Sequence, residues 1–232
     1  MIVTTELLRQ AAYCPFLPRL GVLNESKKLS KDLVDTFLYL YSKKFEQNDK
    51  DKLGWRNTLN RFAKLHWADR NKNDKAATKE ASVGYLILDK LYKEHFLPDQ
   101  RKIIAISYPY SYAVLEQKFH IDGNIDLVFC NDVGDLDIVF VGEVNSPFRD
   151  FSCISGYLSV ISTGLKVRSV ESLIFDLTGS GNLIHKKIYP DNKYRDYCAT
   201  ALTSTLRSIQ GNFLYPNQDG CSKCIGRSKC KL

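Results

Sequence analysis

Three cysteines crowd the C-terminal end of the sequence, in Cys221-Ser-Lys-Cys224-Ile-Gly-Arg-Ser-Lys-Cys230. The segment is short and basic, and it lacks the apolar residues needed for a core of its own. Such a tail orders itself only when something binds its sulfurs, and thiolates at C-x2-C-x5-C spacing are metal or cluster ligands. Three thiolates do not close a four-ligand site. Cys14, in Ala12-Tyr13-Cys14-Pro15-Phe16, is the candidate fourth. One inorganic centre would then join the two ends of the sequence, and residues 1–232 would form a single unit. The spacing does not separate zinc from iron–sulfur. A zinc knuckle completed by His185 or by an outside group is the alternative, and a disordered tail with incidental thiols is the plainest reading.

Size and composition narrow the classes. The 232 residues suit one large domain or a domain with an appended helical part. Hydrophobic residues make up 44%, enough for a real core. No run of about 18 apolar residues suggests a membrane span, and the start Met-Ile-Val-Thr-Thr-Glu does not read as a signal peptide. An intracellular, reducing setting is expected. Seven cysteines, an odd number, argue against a disulfide framework. Cys130, Cys153 and Cys198 read as small buried hydrophobes. The net charge of +7 points to a polyanionic partner, nucleic acid before others.

Periodicity predicts helices over 6–13, from Ser30 through Tyr41, over 53–67 and over 80–96. The charged stretch 69–79 reads as a mobile connector. Stretches 102–105 and 108–114 are β-prone. Strands are expected at 114–121, 124–130 and 137–145, with turns at Gly123 and at 131–135. A helix over 151–163, a hairpin of 170–177 with 183–188, and a closing helix over 194–209 complete the order. That order is an α+β or α/β sheet domain. It has a helical part over about 1–100, a sheet with flanking helices over about 101–210, and a tail from 211.

Two carboxylates stand out in apolar strands. Asp126 lies in Asn124-Ile125-Asp126-Leu127-Val128-Phe129, and Glu143 follows Ile138-Val-Phe-Val141-Gly142. Acids in such places are expensive to bury without a partner or a cation. Alternation puts Ile125, Leu127 and Phe129 on one face and Asp126 on the other. Glu143 and Asn145 point the same way, about 7 Å apart. If the two strands form a hairpin, Asp126 and Glu143 can face each other and share a divalent ion. Magnesium suits such oxygen ligands, and a metal so held can generate hydroxide beside a phosphate. The alternative is a salt bridge to Lys118.

These residues resemble the core of the PD-(D/E)XK nucleases: Gly123-x-Ile125-Asp126-Leu-Val, then Glu143-Val144-Asn145 at the end of the next strand. With Tyr13-Cys14-Pro15 and the terminal cysteines, the chain from Cys14 to Cys230 is similar to the iron–sulfur RecB-like exonucleases. That group includes the CRISPR-associated exonucleases and the nuclease domain of AddB. The resemblance implies a restriction-endonuclease-like sheet flanked by helices. It implies a [4Fe–4S] cluster on Cys14, Cys221, Cys224 and Cys230, with Mg2+ or Mn2+ on Asp126 and Glu143. It further implies metal-dependent hydrolysis of DNA, on single strands or ends, by a protein able to work in a DNA-processing complex and not at a membrane.

The sequence departs from that pattern in three places. Asn145 stands where the family has the lysine of Glu-x-Lys. Leu88, four residues after Gly84, stands where the family has a histidine, and His66 or His95 would have to substitute. Cys153 stands where the family's Gln-x3-Tyr has glutamine, while Tyr157, implied to face the DNA backbone, is present. Lys118 or Arg149 could return the missing charge. Losing a cation at the transition state costs on the order of several kcal/mol. Two readings therefore follow: an active deoxyribonuclease using Asp126, Glu143, Asn145 and Tyr157, or an inactive relic kept as a DNA-binding or scaffold subunit. A zinc-binding nucleic-acid module is a third.

Overall fold

The computed structural model describes residues 2–5, 8, 28–47, 54–114, 119–142, 150–177 and 180–210. Its centre is the strand β4 (Leu136–Gly142), every residue of which is buried. An apolar run without alternation is what a strand covered on both faces requires. β4 pairs antiparallel with β3 (Phe119–Cys130) through the turn at 131–135, and parallel with β5 (Val167–Phe175). β6 (Leu183–Ile188) closes the sheet antiparallel to β5. On the other side, β2 (Lys102–Val114) runs antiparallel along all of β3. β1 (Ile2–Thr4) joins β3 in parallel, making a six-stranded sheet.

Among the described residues, five helices cover the two faces. α1 (Lys28–Gln47), α2 (Trp55–Trp67) and α3 (Lys75–Lys90) pack Leu33, Phe37, Phe62 and Ile87 against Leu127, Phe129, Val139 and Leu173. The end of α3 widens into π turns over Leu91–Phe96. α4 (Phe151–Ser162) and α5 (Asn192–Gln210) pack Ile154, Leu158, Leu202 and Leu206 against Ile125, Ile138, Phe140 and Val170. The expected helical part is thus the cover of one face of the sheet.

Several expectations need correction. The connector read as mobile already belongs to α3 from Lys75, because Asp74 caps it by accepting from the backbone N–H of Ala76 at 2.8 Å. Residues 2–4, just ahead of the helix expected over 6–13, are a strand. Gly123 is not a turn: it lies inside β3 beneath the Tyr110 ring, where a Cβ would come within 2.4 Å of the phenol oxygen. The faces of β3 do not alternate as expected. Ile121 and Ile125 belong to the α4–α5 side, whereas Leu127 and Phe129 belong to the α1–α3 side. The strand therefore turns over at Asp126. β2 turns over beside it, at Ser107, a non-glycine residue with φ of 52°. The ladder pairs Ile106↔Leu127 and Tyr108↔Ile125 bracket that crossing. A left-handed residue inside a strand is strained by about 1–2 kcal/mol, and such strain gathers at functional sites.

Candidate functional site

The turn-over opens a fork in the sheet. On the edge of β3 away from β2, the ladder to β1 reaches Asp122 and the ladder to β4 begins at Leu127. Between them β3 and β4 separate, while β4 stays paired with β5 as far as Gly142↔Ile174. Asp126 spans the gap: its Oδ2 accepts from the backbone N–H of Val141 at 2.7 Å. Gly142 ends β4 at φ 129°, under Ser30 and Val34 of α1. A side chain there would be both strained and crowded, its Cβ 3.3 Å from Val34 Cγ2.

Asp126 is half-buried, and its carboxyl is pushed up to about 7. Loss of hydration is the main cause and the Asp150 carboxylate adds to it, while the Val141 N–H works the other way. Among the described residues no basic side chain lies beside it. Asp150 is buried (1% exposed) and accepts from the Ser152 N–H at 2.8 Å, which caps α4. Tyr110 completes the wall. Its hydroxyl donates to Ser155 Oγ at 2.7 Å, since Ser155 itself donates to the Phe151 carbonyl. Two neighbouring carboxylates with an N-terminal helix end beside them repel each other unless a proton or a cation intervenes. The donors are hard oxygens, which fits a divalent cation such as Mg2+. Among the described residues, however, no group of three or more His, Cys, Asp or Glu side chains is placed to hold a metal.

The fate of the other sequence candidates is as follows. Glu143 and Asn145 directly follow Gly142 and lie outside the described residues, as do Cys14, Cys221, Cys224, Cys230, Lys118 and Arg149. Tyr157 is buried at 5% exposure between α4 and α5, with its ring 5.1 Å from that of Tyr194. It sits about 10 Å along α4 from the Asp150 cap at 1.5 Å per residue. Leu88 is fully buried in the core under α3. His66 is buried among the helices, its Nε2 bonded to the Ala77 carbonyl at 2.9 Å. His95 faces the ring of His185 at 5.0 Å. Neither is directed to Asp126. Cys153 and Cys198 are buried thiols whose acidity is suppressed by burial, Cys198 to about 11. Both therefore stay protonated at neutral pH, as buried hydrophobes do. Asp150 was not singled out beforehand. The available signal was an Asp directly ahead of an apolar helical run, which is the pattern of an N-cap.

No family model matches this chain, and no curated protein does. A solved structure supplies the comparison. The crystal structure of a candidate exonuclease from Eubacterium rectale aligns over 99% of this chain and 88% of its own, with a TM-score of 0.51 and 16% identity. The chain shares the fold of that structure. LHK-Exo in complex with dAMP aligns at TM-score 0.30 and 11% identity, covering 85% of this chain and 92% of its own. SSO0001 aligns at 0.34 and 12%, covering 98% and 96%. Among the described residues no helix is long and apolar enough to cross a membrane.

Proposed function

We propose that the fork is the active site of a metal-dependent deoxyribonuclease acting on single strands or DNA ends. The observation that carries this reading is Asp126: a carboxyl raised to about 7, set beside a second carboxylate, with no basic side chain near it among the described residues. Such a group is poised to exchange its proton for a divalent cation. Asp126 and Glu143 are the proposed ligands, with Asp150 adding negative charge close by. Mg2+ or Mn2+, when bound, supplies Lewis acidity to the phosphate and lowers the pKa of a coordinated water. Asn145 orients the water through its amide, and Tyr157 supports the helix that carries Asp150. Hydrolysis adds the water oxygen to phosphorus and breaks one P–O ester bond; the water gives up a proton to solvent, and the departing sugar oxygen takes up a proton from solvent to leave as a hydroxyl. In the same reading Cys14, Cys221, Cys224 and Cys230 hold a [4Fe–4S] cluster that staples the ends of the domain, with zinc as the alternative occupant.

A second reading is supported by the absence, among the described residues, of a basic side chain at Asp126 together with Asn145 in place of lysine: a DNA-binding or scaffold subunit that no longer cuts. Cleavage of end-labelled single- and double-stranded DNA with Mg2+ or Mn2+ separates them, with Asp126→Asn and Glu143→Ala as controls. Cutting that falls by about a hundredfold or more in both variants establishes the first reading. DNA retained but uncut by the wild-type protein establishes the second. Anaerobically purified protein should be brown, and a colourless protein with one zinc and no iron sinks the cluster.

A further inference from the structure

At the other end of the sheet, where β6 hands over to α5, the surface changes character. A cavity of about 520 Å3 opens between the end of β6 and the first turns of α5, lined among others by Lys187, Tyr189, Lys193, Tyr194 and Tyr197. That volume lies within the range of small-ligand sites, roughly 300–1,000 Å3. Tyr189 is 71% exposed and Tyr197 43%, and both line the cavity. Most of the other large exposed hydrophobics are aliphatic and scattered over the surface. The tyrosines are linked inward: Tyr197 stacks on Tyr194 with 6.5 Å between centroids, and Tyr194 meets Tyr157.

The rim is cationic. Lys187 Nζ lies 5.4 Å over the Tyr189 ring while it is also paired with Glu171. Arg168 lies nearby, its guanidinium held by Asp137. Lys193 lines the cavity, and Arg195 begins the next stretch of α5. The one lining carboxylate, Asp191, accepts from the Tyr194 N–H at 2.8 Å and so is engaged in capping α5.

Exposed rings interleaved with lysine and arginine fit a ligand that offers flat aromatic faces joined by negative charges. We propose that this cavity is a stacking subsite for single-stranded DNA, with unpaired bases on Tyr189 and Tyr197 and a phosphate on Lys193. A duplex hides its base faces and does not satisfy the tyrosines. The subsite lies about 16 Å down the sheet from the row Gly142–Ile174–Ile184 at the fork, counting residues along β6 at 3.3 Å each. It rests on the nuclease-like reading for its ligand class, and it adds a holding point separate from the reacting one.

The test measures binding and cutting apart. Anisotropy of labelled single-stranded and duplex oligonucleotides is read in EDTA for wild type, Tyr189→Ala/Tyr197→Ala, Lys193→Ala and Asp126→Asn. The tyrosine pair is expected to weaken single-strand binding by about tenfold or more while duplex binding moves little. Lys193→Ala should lower the salt slope by about one without changing base preference. Because Tyr189 and Tyr197 are exposed, circular dichroism should report both variants folded. Equal single-strand affinity in the double variant overturns the proposal, as does wild-type protein that binds no single strand at low salt. If the variant loses binding while the wild type cuts nothing in Mg2+, the subsite stands and the nuclease reading falls. If the wild type cuts and the variant binds normally, the reverse holds.

Discussion

Asp99, Asp137 and Glu171 lie near the start of β2 and across β4 and β5, all under 9% exposed, surrounded by basic side chains. Arg101 reaches Asp99 at 3.0 Å and Glu171 at 2.8 Å while its guanidinium sits 4.0 Å over the Phe129 ring. Arg168 pairs with Asp137, and Lys187 and His185 close on Glu171 at 2.8 and 3.1 Å. At the fork, no basic side chain lies beside Asp126 among the described residues. The same functional group is consequently held in opposite states. The basic neighbours and hydrogen bonds keep Asp137 and Glu171 below the ordinary carboxylate range despite their burial, whereas Asp126 is pushed up to about 7. An acid compensated by built-in cations is a fastening. An acid left uncompensated in the same sheet destabilises the apo protein, and the fold tolerates it where a cation can arrive from outside.

The largest break in this contrast comes from Arg101→Met. Removing the cation shared by Asp99 and Glu171 takes the charged partner from the buried Asp99 and leaves Glu171 only Lys187 and His185, and should cost about 3 kcal/mol or more. Denaturant titration would show it as a lower midpoint with unchanged slope. Asp126→Asn, by contrast, should cost little or stabilise. If the two substitutions cost alike, the division into fastening and site is wrong.

Next in size is the pH dependence, where the two groups have opposite signs. Asp126 has a raised value in the folded state. The stability it lends is complete below its unfolded value, near 4, and is lost as pH rises through about 7. Relative to Asp126→Asn, the wild type should lose about 2 kcal/mol between about pH 5 and pH 8. Added Mg2+ should restore it on the alkaline side if the fork holds the metal, because a ligand bound only by the folded state stabilises it. Glu171 has a lowered value, so its contribution is present above the ordinary carboxylate range and is lost as pH falls through its folded value. Glu171→Gln should therefore flatten the acid limb and leave the alkaline limb alone. Both follow from thermal melts across pH.

Most of the fold could be read from the order of apolar runs. Residues 138–141, an unbroken apolar stretch, announce a central strand, and the stripe Val83, Ile87, Leu91 announces α3. What escaped was set by contacts between distant residues. A strand of three residues such as β1 has no period to detect. Gly123 looks like a turn until the Tyr110 ring is found above it. The turn-over at Ser107 and Asp126 violates strict alternation, and nothing local in either segment marks it. At the site, Asp126 was legible because an acid in an apolar strand has a cost that needs an explanation. Asp150 was not, because an acid ahead of a helix has a sufficient explanation as a cap. Its nearness to Asp126 depends on where α4 begins relative to the fork.

The smallest effect tests whether hydrogen bonds outside the ion pairs matter to the contrast. Tyr41 donates to Asp99 Oδ2 at 3.0 Å from inside the α1–α3 core, and burial keeps its phenol protonated far beyond neutral pH. Asp99 also accepts from the Arg101 backbone N–H and side chain, so Tyr41→Phe removes one donor of several. The expected loss is about 1 kcal/mol, flat across neutral pH, with DNA cleavage unchanged. Tyr110→Phe at the fork removes a hydroxyl that donates to Ser155, at a similar cost to stability. Here the outcomes should part. Tyr110 lies close enough to Asp126 and Asp150 for their charges to act on its phenol, and the loss of a polar group there desolvates both acids further. The pH at which cleavage rises should shift upward for Tyr110→Phe and stay in place for Tyr41→Phe. Equal pH profiles would mean that Tyr110 is core packing and that the fork's electrostatics end at the two carboxylates.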